Sequence, residues 1–328
     1  MPPEMTILVG TVGQGIMRST DSGKTWKRVG VGQGLHSDAV VRAVVNHPHH
    51  PEITFAGSDR GLYRSEDAGE NWQLIDSPLS RSIVWALAID PKEPDYMFAG
   101  TGTPDPPELF RSADGGATWE QRSIEVASEC PAVGVPRVTG ISVDPVNGNN
   151  IWVGIEVDGV RHSTDRGETW QRLGDKIPNP DVHNVLVVEG PPKTILVVVN
   201  NDLFTSTDDG TSWNAHHLKS PFPTIYPRGI AVQPGSGKTI FLTIGDRTPG
   251  TIGTVLRSQD TGSTWQELSL PVPANSAMWI AHMQAANPSI VFAGSRYGYL
   301  YRSEDAGDSW TKLQREFSEI SGMVWIPN

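Results

Sequence analysis

An all-β fold, a seven-bladed β-propeller with four antiparallel strands per blade, is predicted by three features of the sequence: an eight-residue phrase written seven times, a period of 43 to 52 residues between copies, and chain ends that each supply part of one blade. The phrase reads STDSGKTW, SEDAGENW, SADGGATW, STDRGETW, STDDGTSW, SQDTGSTW and SEDAGDSW, ending at Trp26, Trp72, Trp119, Trp170, Trp213, Trp265 and Trp310. This period runs through nearly the whole chain, so 1–328 reads as a single propeller domain.

One full period contains AVVRAVVNHP, EITFAGS, GLYRSED and NWQLID, four short runs rich in Val, Ile, Leu, Phe and Tyr and bounded by turn residues. They are strands A to D of a blade. The chain starts with B, C and D of its first unit (TILVGT, GIMRST, TWKRVG) and ends on an unmatched A, SGMVWIPN. Pairing the last strand with the first closes the ring and removes the open sheet edges. With 34 Gly, 26 Pro and no sustained helical periodicity, helix is expected to be scarce.

The formal charge of -11 and the absence of a Lys/Arg run exclude nucleic acid as a partner. Cys130 is the only cysteine, which excludes an internal disulfide. The start, MPPEMTILVG, enters an apolar strand without a charged leader, and no stretch is long enough to span a bilayer. The expectation is a soluble, cytoplasmic protein with no membrane partner.

The repeated phrase fits S-x-D-x-G-x-T-W and resembles the Asp-box, or bacterial neuraminidase repeat, of sialidases, other glycoside hydrolases, sortilin-type receptors and photosystem II assembly factors. Asn71 stands in the second copy where Thr or Ser is usual. The resemblance covers almost the entire chain and implies the propeller fold. It also implies box turns that lie away from an active site.

The residue types in the box explain why it is structural. A tight C-to-D turn needs a carboxylate to accept backbone N–H groups, a glycine for a left-handed conformation and a large anchor for the next strand. Asp114, Gly116 and Trp119 meet those needs. Arg18, Arg64, Arg111, Arg257 and Arg302 precede the box Ser in five copies; a neighbouring aromatic or acid is their expected partner. The run NHPHHP at 46–51 aligns with DPKEP and DPVNG, so His47, His49 and His50 form an A-to-B turn, and neither metal nor cofactor is expected.

Candidate functional residues emerge where the A strands break their aliphatic pattern. Five residues before the aligned turn, the strands carry Arg42, Trp85, Thr139, Asn184, Arg228 and His282. Arg137 and Tyr226 lie two residues nearer the same end, and His183 adjoins Asn184. The B-to-C loops on that face add Asp59, Glu156, Asp158, Asp246 and Arg296. These groups are expected to converge on the mouth of the central channel and bind a polar or anionic small molecule. Arg would contact a carboxylate, and Trp85 or Trp279 would stack on a ring. Two long loops, 100–108 and 123–137, are expected on the same face beside blades 3 and 4.

The leading functional expectation is a hydrolase or lyase acting on a carbohydrate or similar substrate. His282, Tyr226, Asp59, Glu156, Asp158 and Asp246 are its candidate acid–base groups. Sialidase chemistry itself is disfavoured: sialidases resemble this chain in the boxes but have six blades and an R-I-P-like motif, which is absent here. The resemblance to xyloglucan-degrading enzymes is to proteins with two propellers, against one here. The alternative is a non-catalytic scaffold for a protein partner, resembling the photosystem II assembly factors; a third is a structural binder without chemistry.

Overall fold

A computed structural model describes residues 4–131, 133–173, 176–222 and 225–328. They form seven four-stranded antiparallel sheets. Blade 2 is representative, with strands Val41–Asn46, Thr54–Ser58, Gly61–Ser65 and Gln73–Leu74 in sequential order. The A strands touch one another in succession around the ring and line its axis. Helix among the described residues is limited to two 3-10 turns, Val31–Gln33 and Pro78–Arg81.

The apolar core lies between blades. Trp152 and Val160 of blade 4, for example, pack with Val182, Val185, Val197 and Phe204 of blade 5. B strands are covered on both faces and fully buried, which explains near-continuous apolar runs such as ILVVV in place of strict alternation. Close packing reaches its limit at the last B-strand glycines. A Cβ on Gly100 would stand 2.3 Å from Val138 of the next blade, and one on Gly57 2.7 Å from Val84. Glycine there lets the next A strand approach.

The two termini share blade 1. Ile320–Pro327 pairs antiparallel with Met5–Thr11, from Met5 opposite Pro327 to Thr11 opposite Ile320. Thr6 Oγ1 donates to Asn328 Oδ1 at 2.9 Å. Ring closure by the terminal strands, expected from the sequence, is therefore present.

Each box is a self-contained hydrogen-bonded turn. In the third, Ser112 Oγ donates to Asp114 Oδ1 (2.8 Å) and accepts from Gly116 N (2.9 Å). Asp114 Oδ1 accepts from Thr118 N (2.8 Å), and Oδ2 accepts from the Thr118 hydroxyl (2.5 Å). Gly116 has φ +87°, and its predecessor is also left-handed at +68°. Asn71, the departure from the pattern, donates its side-chain N–H to Asp67 Oδ2 at 2.8 Å and so replaces the missing hydroxyl. Hydrogen bonds from Thr25 hold the Asp21 carboxyl down to about 2. Ser112 is 1% exposed, and Ser112→Ala would leave the buried Gly116 N–H without its acceptor. A loss of about 1–3 kcal/mol in chemical denaturation is expected.

Four of the five arginines before the boxes act across blades, whereas Arg64 pairs with Glu66 (3.0 Å) and lies over Phe55 in its own blade. Arg18 donates to the Ala68 carbonyl (3.0 Å), Arg111 to Arg166 (2.9 Å), Arg257 to Ala306 (2.8 Å) and Arg302 to Ser22 (3.0 Å). Each carbonyl belongs to the left-handed residue just before the next box glycine. The expected acidic partners are present, for example Arg111 with Glu168 at 2.8 Å, but the carbonyl contact was not anticipated. In the His-rich turn, His47 Nδ1 accepts the amides of His49 (3.2 Å) and His50 (3.1 Å). His47 thereby plays the part taken by Asp90 in the next blade, whose carboxylate accepts from Lys92 N and Glu93 N.

Candidate functional site: a ring of bulges at the channel mouth

A β-bulge gives one strand an extra residue that leaves the regular pairing. Ladder registers skip one A-strand residue between Val41 and Ala43, Val84 and Ala86, Val138 and Gly140, Val182 and Asn184, and Met278 and Ile280. The terminal strand skips between Ile320 and Gly322. In blade 6, Arg228 N and Gly229 N both turn to Thr243, donating to its carbonyl (2.9 Å) and its hydroxyl oxygen (2.8 Å). The skipped or equivalent residues are Arg42, Trp85, Thr139, His183, Arg228, Trp279 and Ser321. All of them line one cavity of about 460 Å³ at the N-terminal ends of the A strands. Because C strands run parallel to A strands, the boxes at their far ends lie on the opposite face.

Eleven residues singled out from sequence meet in this cavity: Arg42, Trp85, Arg137, Thr139, Glu156, His183, Asn184, Tyr226, Arg228, Trp279 and Arg296. The other four do not. Asp158 is buried against Arg161 (2.7 Å) and Arg172 (3.1 Å) and accepts the amide of Ala127 (3.0 Å), so it anchors the 123–137 loop. Asp59 accepts from Val40 N at 2.9 Å. Asp246 accepts from Thr251 N (2.9 Å) and Ile252 N (3.2 Å), closing its own loop. His282 lies three residues beyond the bulge residue Trp279, about 10 Å along the strand, and pairs with Phe292. Burial takes its imidazole down to about 4.

The His282 misplacement has a simple origin. Strand pairing makes Gln284, not Asn287, the counterpart of Asp90, since Met283 faces Val291 as Ile89 faces Met97. Counting back five from Gln284 gives Trp279. The sequence reading also missed Glu319, Thr248 and Ser321, which lie in the cavity. Ser321 was legible as the first residue of the unmatched A strand. Among the described residues of the two long loops, only Arg137 lines the cavity; Gly102 and Arg137 bridge the loops to each other. Ala132 of the 123–137 loop lies outside the described residues.

Four guanidinium groups dominate the mouth. Arg42 and Arg137 lie over the Trp85 ring at 4.3 and 4.6 Å from its centroid, and Arg228 and Arg296 over Trp279 at 4.3 and 4.5 Å. The indoles thus carry guanidiniums where the sequence reading placed a ligand ring. Arg137 Nε donates to Glu156, and Arg296 pairs with Glu319 at 2.9 Å. Arg42 and Arg228 have no carboxylate within ion-pair distance among the described residues, and Arg42 Nε is buried without a hydrogen-bond partner. Burial disfavours the charge of both and moves their pKa down.

Burial moves the Glu156 carboxyl up from its ordinary range against the opposing pull of Arg137 and Arg228. Burial likewise raises the Tyr226 phenol. His183 Nδ1 lies 2.7 Å from the Pro227 carbonyl, which can only accept, so this nitrogen carries the proton. Burial, reinforced by Arg228, keeps the ring neutral. Thr139 donates to the Val182 carbonyl at 2.7 Å, and Asn184 Oδ1 accepts from Val185 N at 2.9 Å.

Comparison with known proteins gives several partial matches. A family model described as sortilin, neurotensin receptor 3, matches residues 14–132, and one described as photosynthesis system II assembly factor YCF48 matches 93–226. A xyloglucanase of Hypocrea jecorina is 26% identical over 344 residues, covering 88% of this chain and 40% of that protein. One from a Paenibacillus species is 25% identical, covering 92% and 34%. The chain therefore spans two fifths or less of the length of these relatives. Among solved structures, the GH74 xyloglucanase from Xanthomonas campestris matches with TM-score 0.66 and 21% identity over 83% of this chain and 45% of that one. YCF48 bound to D1 peptide matches with TM-score 0.57 and 17% identity over 84% and 82%. Together the matches support a BNR-like seven-bladed propeller; the structural likenesses speak for the fold alone.

Proposed function

We propose that the cavity binds a polar anionic small molecule, and that the protein acts on a carbohydrate-type substrate there as a hydrolase or lyase. The observation that carries this reading is the pair of carboxylate-free guanidiniums, Arg42 and Arg228, held at the mouth of a cavity in an otherwise acidic protein. Both residues are half-buried, so desolvation of the unpaired charge carries a cost, and an incoming carboxylate offsets it with charge-assisted hydrogen bonds. Glu156, whose carboxyl retains a proton above the usual range, and Tyr226 are the acid–base candidates inside the cavity. Similarity to xyloglucanases supports carbohydrate as the substrate class. The alternative, a protein-binding scaffold, is favoured by the near-equal coverage of this chain and YCF48.

The sign of the pH dependence follows from Glu156. As pH falls through its raised pKa, Glu156 loses charge, Arg137 loses its partner, and the cavity gains positive potential. Anion affinity should therefore rise as pH is lowered from neutral into the acidic range where Glu156 takes up its proton, for a ligand that stays ionised. A thermal-shift series with uronic acids, aldonic acids and simple carboxylates tests this on the wild type and Glu156→Gln. Shifts that grow at low pH in the wild type alone support the reading. No shift with any anion at either pH contradicts it.

A further inference from the structure

The mouth is built as two matching halves. On one side Arg42 of blade 2 lies over Trp85, which also carries Arg137 in its pair with Glu156. On the other, Arg228 of blade 6 lies over Trp279, which also carries Arg296 in its pair with Glu319. Each half holds one indole, one neutralised guanidinium and one guanidinium without a carboxylate. Blades 2 and 6 stand on different sides of a seven-membered ring. Charges near Arg42 are Glu319, Arg137, Arg296 and Asp59, whereas Arg228 faces Tyr226, Glu156, Arg137 and Asp181; neither arginine is a main influence on the other.

Resting on the anion-binding reading above, we propose that the ligand carries an anionic group at each end, one received by Arg42 and the other by Arg228. Among the groups that line the cavity itself, four guanidiniums and two glutamates leave two positive charges. A ligand with one anionic group leaves one of the two cations, carried by blades on different sides of the ring, without a partner. A diacid of the sugar series or a bisphosphate satisfies both, and its polar middle meets Tyr226, Asn184 and Ser321, which also line the cavity. The two indoles hold the guanidiniums in place before binding, which reduces the ordering cost of each contact.

The test is isothermal titration of the wild-type protein with galactarate, adipate and fructose 1,6-bisphosphate, each beside a counterpart with a single anionic group: galactonate, hexanoate and fructose 6-phosphate. At least one two-ended ligand is expected to bind ~10-fold or more tightly than its one-ended counterpart, as a second charge-assisted contact implies. Arg42→Gln and Arg228→Gln should each erase that gap while leaving the one-ended ligand bound at the remaining arginine. The carboxylate and phosphate arms identify which anionic group fits. One-ended ligands that bind as tightly as their two-ended counterparts overturn the two-ended ligand and leave anion binding standing. Failure of every anion to bind overturns both. The wild-type comparison decides between these outcomes even where a variant folds poorly.

Discussion

Arg228→Ala is expected to weaken the binding of an anion that engages both Arg42 and Arg228 roughly 10- to 150-fold, the range of one hydrogen-bonded charged contact of about 1.5–3 kcal/mol. In the absence of ligand, the same variant is expected to melt no lower than the wild type. Arg228 donates to no carboxylate among the described residues, and burial disfavours its charge. Its guanidinium lies over the Trp279 face at 4.3 Å. Truncation forfeits that stacking but relieves a half-buried charge that desolvation disfavours, and the two effects oppose each other. An arginine kept for stability would behave in the opposite way: the variant would melt lower and bind anions unchanged. Titration calorimetry paired with thermal melts separates the two roles, and Arg42→Ala should follow the same pattern.

The second large effect concerns the seam. Trp325 is 2% exposed, pairs with Ile7 across the terminal strands, and packs with Met5, Val9, Phe292 and Leu313 between blades 7 and 1. Trp325→Ala should cost about 3–5 kcal/mol, as large core truncations do. The loss falls where the ring is joined by strands from opposite chain ends, so opening starts there. Hydrogen exchange should show the amides of Met5–Thr11 losing protection before those of Thr194–Val199 in blade 5. Equal protection loss in both strands would contradict a ring whose closure depends on this pairing.

The architecture was legible because its signals are local and repeated. Ser112, Asp114, Gly116 and Thr118 form a turn whose hydrogen bonds span at most four residues, so each copy announces itself without tertiary information. Much of the cavity was legible for a related reason: Arg42, Trp85 and Arg228 interrupt aliphatic strands where packing asks for none of them. The bulges were not legible. A register skip depends on the partner strand, and only that pairing places Trp279 rather than His282 at the mouth. Carboxylates misled because Asp59, Asp158 and Asp246 occur in the expected loops, yet each is consumed by nearby amides or guanidiniums. Whether a carboxylate is free or spent is decided by contacts that sequence spacing does not encode.

The central claim is that the ring of bulge residues receives an anion between Arg42 and Arg228. A crystal structure of the protein grown with the tightest-binding anion tests it most directly. The account predicts an anionic group within about 2.7–3.1 Å of each of the two guanidiniums, with the Arg137–Glu156 and Arg296–Glu319 pairs flanking it. An anion bound elsewhere, with Arg42 and Arg228 turned away from the cavity, would contradict it.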